Sequence, residues 1–254
     1  MKIIISKTAE ELGMRAAAAS AKVIRNAISV NGRARIILST GASQFETLKY
    51  LVQEDVDWSR VEMFHLDEYV GLPDTHPASF RKYLRERFVA KTHVGAAHFV
   101  DGTPECIAAL TQELKKAPVD LGLIGIGRNA HIAFNDPPAD FETKVSYLVV
   151  NLDKTCRNQQ VSEGWFATID DVPKQAVSMS VWQIMQCRNI ISAVPHAEKS
   201  WAVAQTLENE LTNKVPATML KMHDEFQLFA DADSYADVTR VVTLRGETVT
   251  EDHR

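Results

Sequence analysis

The sequence predicts an α/β protein, a Rossmann-like open sheet of the parallel type with helices on both faces. Three observations carry that prediction. Short continuous apolar runs such as Leu121 to Ile126 suit strands buried on both faces. Segments of helical period with recognisable N-terminal caps alternate with those runs, as in βαβ units. Small, hydroxyl- or glycine-rich turns follow several of the runs directly, at the strand carboxyl ends where ligands of open α/β sheets bind.

The elements follow in order. Lys2 to Ser6 reads as a first strand, and Thr8-Ala9-Glu10-Glu11 as a capping box opening an Ala-rich helix to about Ile28, stopped by Asn31-Gly32. Arg35 to Leu38 is a second strand, ending in Ser39, Thr40, Gly41, Ala42 and Ser43 before a helix from about Phe45 to Val52. That layout aims free N–H groups and a positive helix end at an anion, although an ordinary turn capped by Ser43 fits equally well. Val61 to His65 is a third strand, followed by the adjacent acids Asp67 and Glu68, of which one can face a cleft while the other is structural, or both can be solvated. Ser79 caps a helix to about Val89, and Glu105 to Ala117 is another.

Val119 to Pro138 is the stretch the rest is arranged to serve. Gly125 and Gly127 end its strand and let backbone and ligand approach closely. Asn129, His131, Asn135 and Asp136 come straight after, and a His with a carboxylate nearby at a strand's carboxyl end reads as acid/base machinery, against a bland loop satisfying its own backbone. Ala139 to Thr168 is weakly patterned apart from Tyr147 to Val150, and is either a lid or an irregular connection. Ala176 to Met179 and Asn189 to Val194 are further core strands, with Val181, Ile184 and Met185 on one helical face between them. Lys199 falls in the first turn of a helix to about Leu211, where it can meet an anion, and Phe226 to Ala230 closes the sheet.

Composition sets the outer limits. The 254 residues, 45% hydrophobic and without internal repeat, read as a single domain over 1–241 with a flexible charged tail over 242–254. A net charge of −5 with no dense Lys/Arg block argues against nucleic acid as a partner. The three cysteines, Cys106, Cys156 and Cys187, have no Cys-x-x-Cys spacing, so neither disulfides nor a zinc site is expected and a reducing cytoplasm fits. Ile3 to Ile5 is too short for a signal sequence, and no apolar stretch approaches the roughly 18 residues of a membrane span.

The blocks F-H-L-D-E-Y-V-G-L-P at 64–73, H-P-x-S-F at 76–80 and G-I-G-R-N-A-H-I-A-F-N-D-P at 125–137 resemble the glucosamine-6-phosphate deaminase (isomerizing) family, within the glucosamine-6-phosphate isomerase/6-phosphogluconolactonase superfamily. The resemblance runs from about Lys2 to Ala230. It implies conversion of glucosamine 6-phosphate and water to fructose 6-phosphate and ammonia, with no metal and no cofactor. Its partner is a small-molecule amino sugar phosphate, with a homo-oligomer left open. Carried over residue by residue, it makes Asp67 the base between C2 and C1, and His131 the ring-opening group supported by Asn129 and Asp136. Ser39, Thr40, Gly41, Ala42, Ser43, Gly127 and Lys199 become the substrate- and phosphate-binding set.

Departures accompany the match. Asp136 stands where the family usually has Glu, so its contact with His131 requires a shifted backbone or a water. Asn129 stands where several members have Asp. The segment from Cys156 to Phe166 lacks an Arg before its aromatic pair where well-known members have one for the phosphate, with Arg157 as a substitute. The basic residues of an allosteric site are not evident near Ala139 to Tyr147. Galactosamine 6-phosphate and 6-phosphogluconolactone are the alternative substrates, and a non-catalytic sugar-phosphate sensor is the alternative class. The sensor reading expects an added DNA-binding module, whereas this sequence opens with the first strand.

Overall fold

The computed structural model describes residues 1–162, 164–246 and 248–253, with the side chains of Thr155 and Gln159 also outside the description. In chain order the elements begin with β1 (Lys2–Ser6), α1 (Ala9–Asn31), β2 (Ala34–Leu38), α2 (Phe45–Leu51), β3 (Val61–His65) and β4 (Asp67–Tyr69). They continue with α3 (Phe80–Leu84), α4 (Ala90–Thr92), β5 (Ala96–His98), α5 (Pro104–Lys115), β6 (Leu121–Leu123), β7 (Tyr147–Asn151) and α6 (Lys154–Ser162). The last are β8 (Gln175–Met179), α7 (Val181–Ile184), β9 (Ile190–Val194), α8 (Ser200–Glu208), β10 (Phe226–Asp231) and β11 (Thr250–Asp252).

Eight strands form one sheet in the order β11-β1-β10-β9-β6-β2-β3-β5, and every adjacent pair is parallel. The period of two along each strand sends alternate side chains to opposite faces. Ile36 and Leu38 join Leu12, Ala16, Ala17, Ala21 and Ile24 of α1 on one face. Ile37 joins Leu110, Leu114, Ile184, Val203 and Leu207 on the other. With both faces covered, each fully buried Leu or Ile contributes about 1.5–3 kcal/mol, which is why these strands read as unbroken apolar runs. α1 is framed as its sequence requires: Thr8 Oγ1 accepts from Glu11 N at 3.2 Å, Glu11 Oε2 accepts from Lys7 N at 2.9 Å, and Gly32 ends the helix at φ 75°.

From β2 the chain winds outward through β3 to β5, and from β6 it winds the other way through β9 and β10. β2 and β6 are neighbours, so the direction of winding reverses between them. The loops at their carboxyl ends part there, and a crevice opens.

Several expectations are corrected. Phe226–Asp231 does not close the sheet, because β10 lies between β1 and β9 and the edges are β11 and β5. Asp67–Tyr69 is neither loop nor part of the main sheet. It pairs antiparallel with Gln175–Met179, which in turn pairs with Tyr147–Asn151, in a second sheet of three strands. The helix from Ser79 is interrupted by a π turn at Arg85–Val89, and the one after Lys199 ends at Glu208 rather than Leu211. Within the stretch expected as a tail, Thr250–Asp252 is a strand on β1, tied by Asp252 to Arg15 at 2.7 Å; Glu247 and Arg254 lie outside the described residues. No helix of the described residues is long and apolar enough to cross a membrane.

Candidate active site

The crevice at the reversal is lined by Ser39, Thr40, Gly41, Ala42 and Ser43 from the end of β2, Asp67 from β4, Gly125 to Gly127 and His131 from the end of β6, and Lys199 from beyond β9. It spans about 710 Å³ including its open mouth, room for a small phosphorylated sugar.

The first wall is built by a turn. Gly41 adopts φ 99°, a conformation that L side chains rarely take, and a 3₁₀ turn over Ala42–Gln44 follows. Gln44 is buried and donates from Nε2 to Ala193 O at 3.1 Å, fixing the turn to β9. Ser39 Oγ is buried and has no hydrogen-bond partner among the described residues. Lys199 is buried, and its Nζ donates to Ile126 O at 3.0 Å, which holds the ammonium at the end of β6. Hydroxyls, leading N–H groups of a turn and a cation on one side of a cleft suit an anion.

The adjacent acids separate as strand geometry demands. Glu68 is fully buried, and its carboxylate accepts from Tyr69 N, Ser79 Oγ, Phe80 N, Arg81 N and Arg81 Nε at 2.9 to 3.2 Å. It neutralises the amino end of α3 and Arg81 together. Asp67 points the other way, into the cleft. Burial, with the Glu68 charge adding to it, pushes its carboxyl up to about 8.

The His131 loop is tight. Gly127 N donates to His131 O at 2.9 Å and Ala130 N to Gly127 O at 2.9 Å, while Ala130 and Ala133 take left-handed φ of 63° and 50°. Asn129 braces it from both ends: its Oδ1 accepts from His131 N at 3.2 Å and its Nδ2 donates to Asp136 Oδ1 at 3.0 Å. Asp136 Oδ1 lies 3.0 Å from His131 Nδ1. The contact is therefore direct, although it falls off the line of a good ring N–H hydrogen bond. Burial alone would raise the Asp136 carboxyl, but His131, Asn129 and the Cys156 thiol outweigh it and hold the group below its ordinary value. A persistent carboxylate behind the imidazole orients the ring.

Carboxyl and imidazole share one frame. Asp67 is the register partner of Ser178 on β8, and Ser178 Oγ accepts from Phe134 N at 3.0 Å and from Asn135 Nδ2 at 3.2 Å. Asn135 is thus a buried staple rather than a reacting group. It also donates to Ile132 O and Met179 O.

Of the candidate site residues, Asp67, His131, Ser39 to Ser43, Gly127 and Lys199 line the cleft, while Asn129 and Asp136 stand behind His131. Arg157 does not line the cleft: it donates to Ile169 O. Sequence reasoning missed Ser178, Gln44 and the lining residues Phe80, Phe134, Gln160, Trp165 and Glu198. Gln160 and Trp165 belong to the weakly patterned stretch after Ala139, where only their position after the glycine motif hinted at the site. Among the described residues Glu62, His98 and Glu113 bring ligand-type atoms within 4.8 Å of one another. None lines the cleft, and the Arg35 guanidinium already pairs with Glu62 at 2.6 Å, so the group is an ion-pair cluster.

Residues 7–229 match the model of the glucosamine-6-phosphate isomerase/6-phosphogluconolactonase family. The chain belongs to this family. Among its members, a glucosamine-6-phosphate deaminase of Oenococcus oeni is 32% identical over 235 residues, 91% of this chain and 96% of the relative. One of Streptococcus pneumoniae is 34% identical over 208 residues, 80% and 88% of the respective chains. A solved monomeric glucosamine-6-phosphate deaminase superposes with a TM-score of 0.83 at 27% identity, covering 93% of this chain and all of the other. The 6-phosphogluconolactonase of Trypanosoma brucei shares the fold of the family at a TM-score of 0.76 and 18% identity, over 94% and 98% of the two chains.

Proposed function

We propose that this protein is a glucosamine-6-phosphate deaminase, converting glucosamine 6-phosphate and water to fructose 6-phosphate and ammonia without a metal. The observation that supports this most directly is a carboxyl and an imidazole facing one cleft whose other end offers Lys199 and the Ser39–Ser43 turn. The relatives named as deaminases give the reading its substrate.

The chemistry assigns each group a task. A closed sugar has no acidic C2 proton, so His131, backed by Asp136 and Asn129, takes the O1 proton and returns one to O5, opening the ring. Asp67 then removes the C2 proton, which the aldehyde and ammonium acidify, and delivers it to C1 through an enolamine. The resulting imine takes up water at C2 and releases ammonia. Before substrate binds, burial keeps Asp67 largely protonated near neutral pH. The substrate's ammonium, arriving beside it, draws it back to the carboxylate that proton abstraction needs. Lys199, Ser39, Thr40, Gly41, Ala42 and Ser43 hold the phosphate, and Gly127 leaves space for the imidazole. A cytoplasmic location belongs to the same reading, supported by cysteines that all stand free.

The test is ammonia release from glucosamine 6-phosphate, galactosamine 6-phosphate and, as a lactonase control, acid release from 6-phosphogluconolactone. Turnover of the gluco compound is expected. Hydrolysis of the lactone without ammonia release from either amino sugar would overturn the reading.

A further inference from the structure

Gln160, near the end of α6, lines the same cleft. It is only 8% exposed, and its carboxamide, which bonds no described residue, keeps access to the cleft rather than being sealed off. Its backbone is anchored, since Gln160 O accepts from Trp165 N at 3.1 Å, and that turn brings Trp165 to the cleft as well. A carboxamide carries two donors and an acceptor, and on the wall of a cleft a ligand can take them up while the mostly buried stem holds them in place. Ser39 Oγ, elsewhere on the lining, is a buried polar atom with no partner among the described residues.

We infer that Gln160 is a substrate-binding residue whose carboxamide hydrogen-bonds an oxygen of the bound sugar phosphate, so that the β7–β8 connection contributes to substrate selection. This rests on the cleft being a sugar-phosphate site. The composition of the lining leaves the carboxamide this task. Phe80, Phe134, Leu66 and Ala133 are apolar, and Glu198 is a carboxylate that a phosphate avoids. Gln160 is a neutral group able to donate to a phosphate or sugar oxygen without the cost of burying another charge. A group of this kind binds ground state and transition state alike, so its loss appears in KM rather than kcat.

The experiment compares Gln160→Leu with the unaltered protein in steady-state ammonia release, and measures binding of glucosamine 6-phosphate and of inorganic phosphate to both by calorimetry. KM and the dissociation constant for glucosamine 6-phosphate are expected to rise on the order of tenfold, with kcat within about threefold. If the oxygen belongs to the phosphate, inorganic phosphate also binds the variant about tenfold more weakly; if it is a sugar hydroxyl, inorganic phosphate binds both proteins equally while the sugar phosphate does not. Unchanged affinity for both ligands overturns the inference. Gln160→Met, closer in length, is used if the leucine variant melts early. Failure of the unaltered protein to release ammonia counts against the functional reading and is seen before any variant is compared; the binding measurements still decide the role of Gln160.

Discussion

The imidazole of His131 lies where a side chain on Gly127 would be: a Cβ built there meets His131 Nε2 at 2.1 Å. The glycine is thus part of the cleft's geometry, since only a residue without Cβ lets the ring lie over the end of β6 and face the cleft.

Gly127→Ala should therefore displace the ring rather than strain the backbone. An ångström-scale misplacement costs on the order of 10²-fold in turnover. The accompanying overpacking costs about 1–3 kcal/mol. Full activity in the alanine variant, with an unshifted ring in its crystal structure, would contradict this account of Gly127.

The two roles proposed for Asp67 and His131 separate by bypass. Asp67→Asn keeps shape but cannot accept a proton, and turnover should fall at the upper end of the roughly 10²- to 10⁴-fold range for acid/base assistance, with substrate affinity within a few-fold. His131→Gln should retain more, because free aldehyde forms spontaneously in solution. Exchange of the C1 proton of fructose 6-phosphate in heavy water, with ammonia present, checks the assignment. Sustained exchange by Asp67→Asn would move the base elsewhere.

Asp67 also links stability to pH. Its carboxyl is raised from the ordinary 3.8 to about 8 by burial, so the folded state binds this proton more tightly than the unfolded chain does. The contribution is fully present below about pH 4 and is lost as pH rises toward and through 8. Urea unfolding from pH 5 to 9 should show the unaltered protein losing stability relative to Asp67→Asn across that interval. A constant difference between the two would rule out the raised carboxyl.

Glu68 is predicted to be structural. Glu68→Gln places an amide donor among groups that all donate and leaves Arg81 short of its charge, for a loss of about 3 kcal/mol. Thermal melting measures it. A variant as stable as the unaltered protein would show that the carboxylate does not anchor α3.

Much of this protein was legible in the sequence because the controlling physics is local. Unbroken apolar runs announced strands covered on both faces, Thr8 and Glu11 announced a helix start, and the glycines around Ile126 marked where a backbone must turn tightly. The resemblance then pointed to Asp67 and His131. Which of the two adjacent acids faces the cleft was decided only in three dimensions, because spacing says that Asp67 and Glu68 diverge but not where α3 and Arg81 lie. The second sheet was hidden for the same reason: β4, β7 and β8 are short, distant in sequence, and joined only by pairing. Ser178 carries no motif, yet it holds the Asp67 strand and the His131 loop in one frame through a register that the tertiary fold alone sets. Gln160 is an ordinary helical polar residue in sequence; a mostly buried place on the cleft wall is what distinguishes it, and that is a property of the assembled fold.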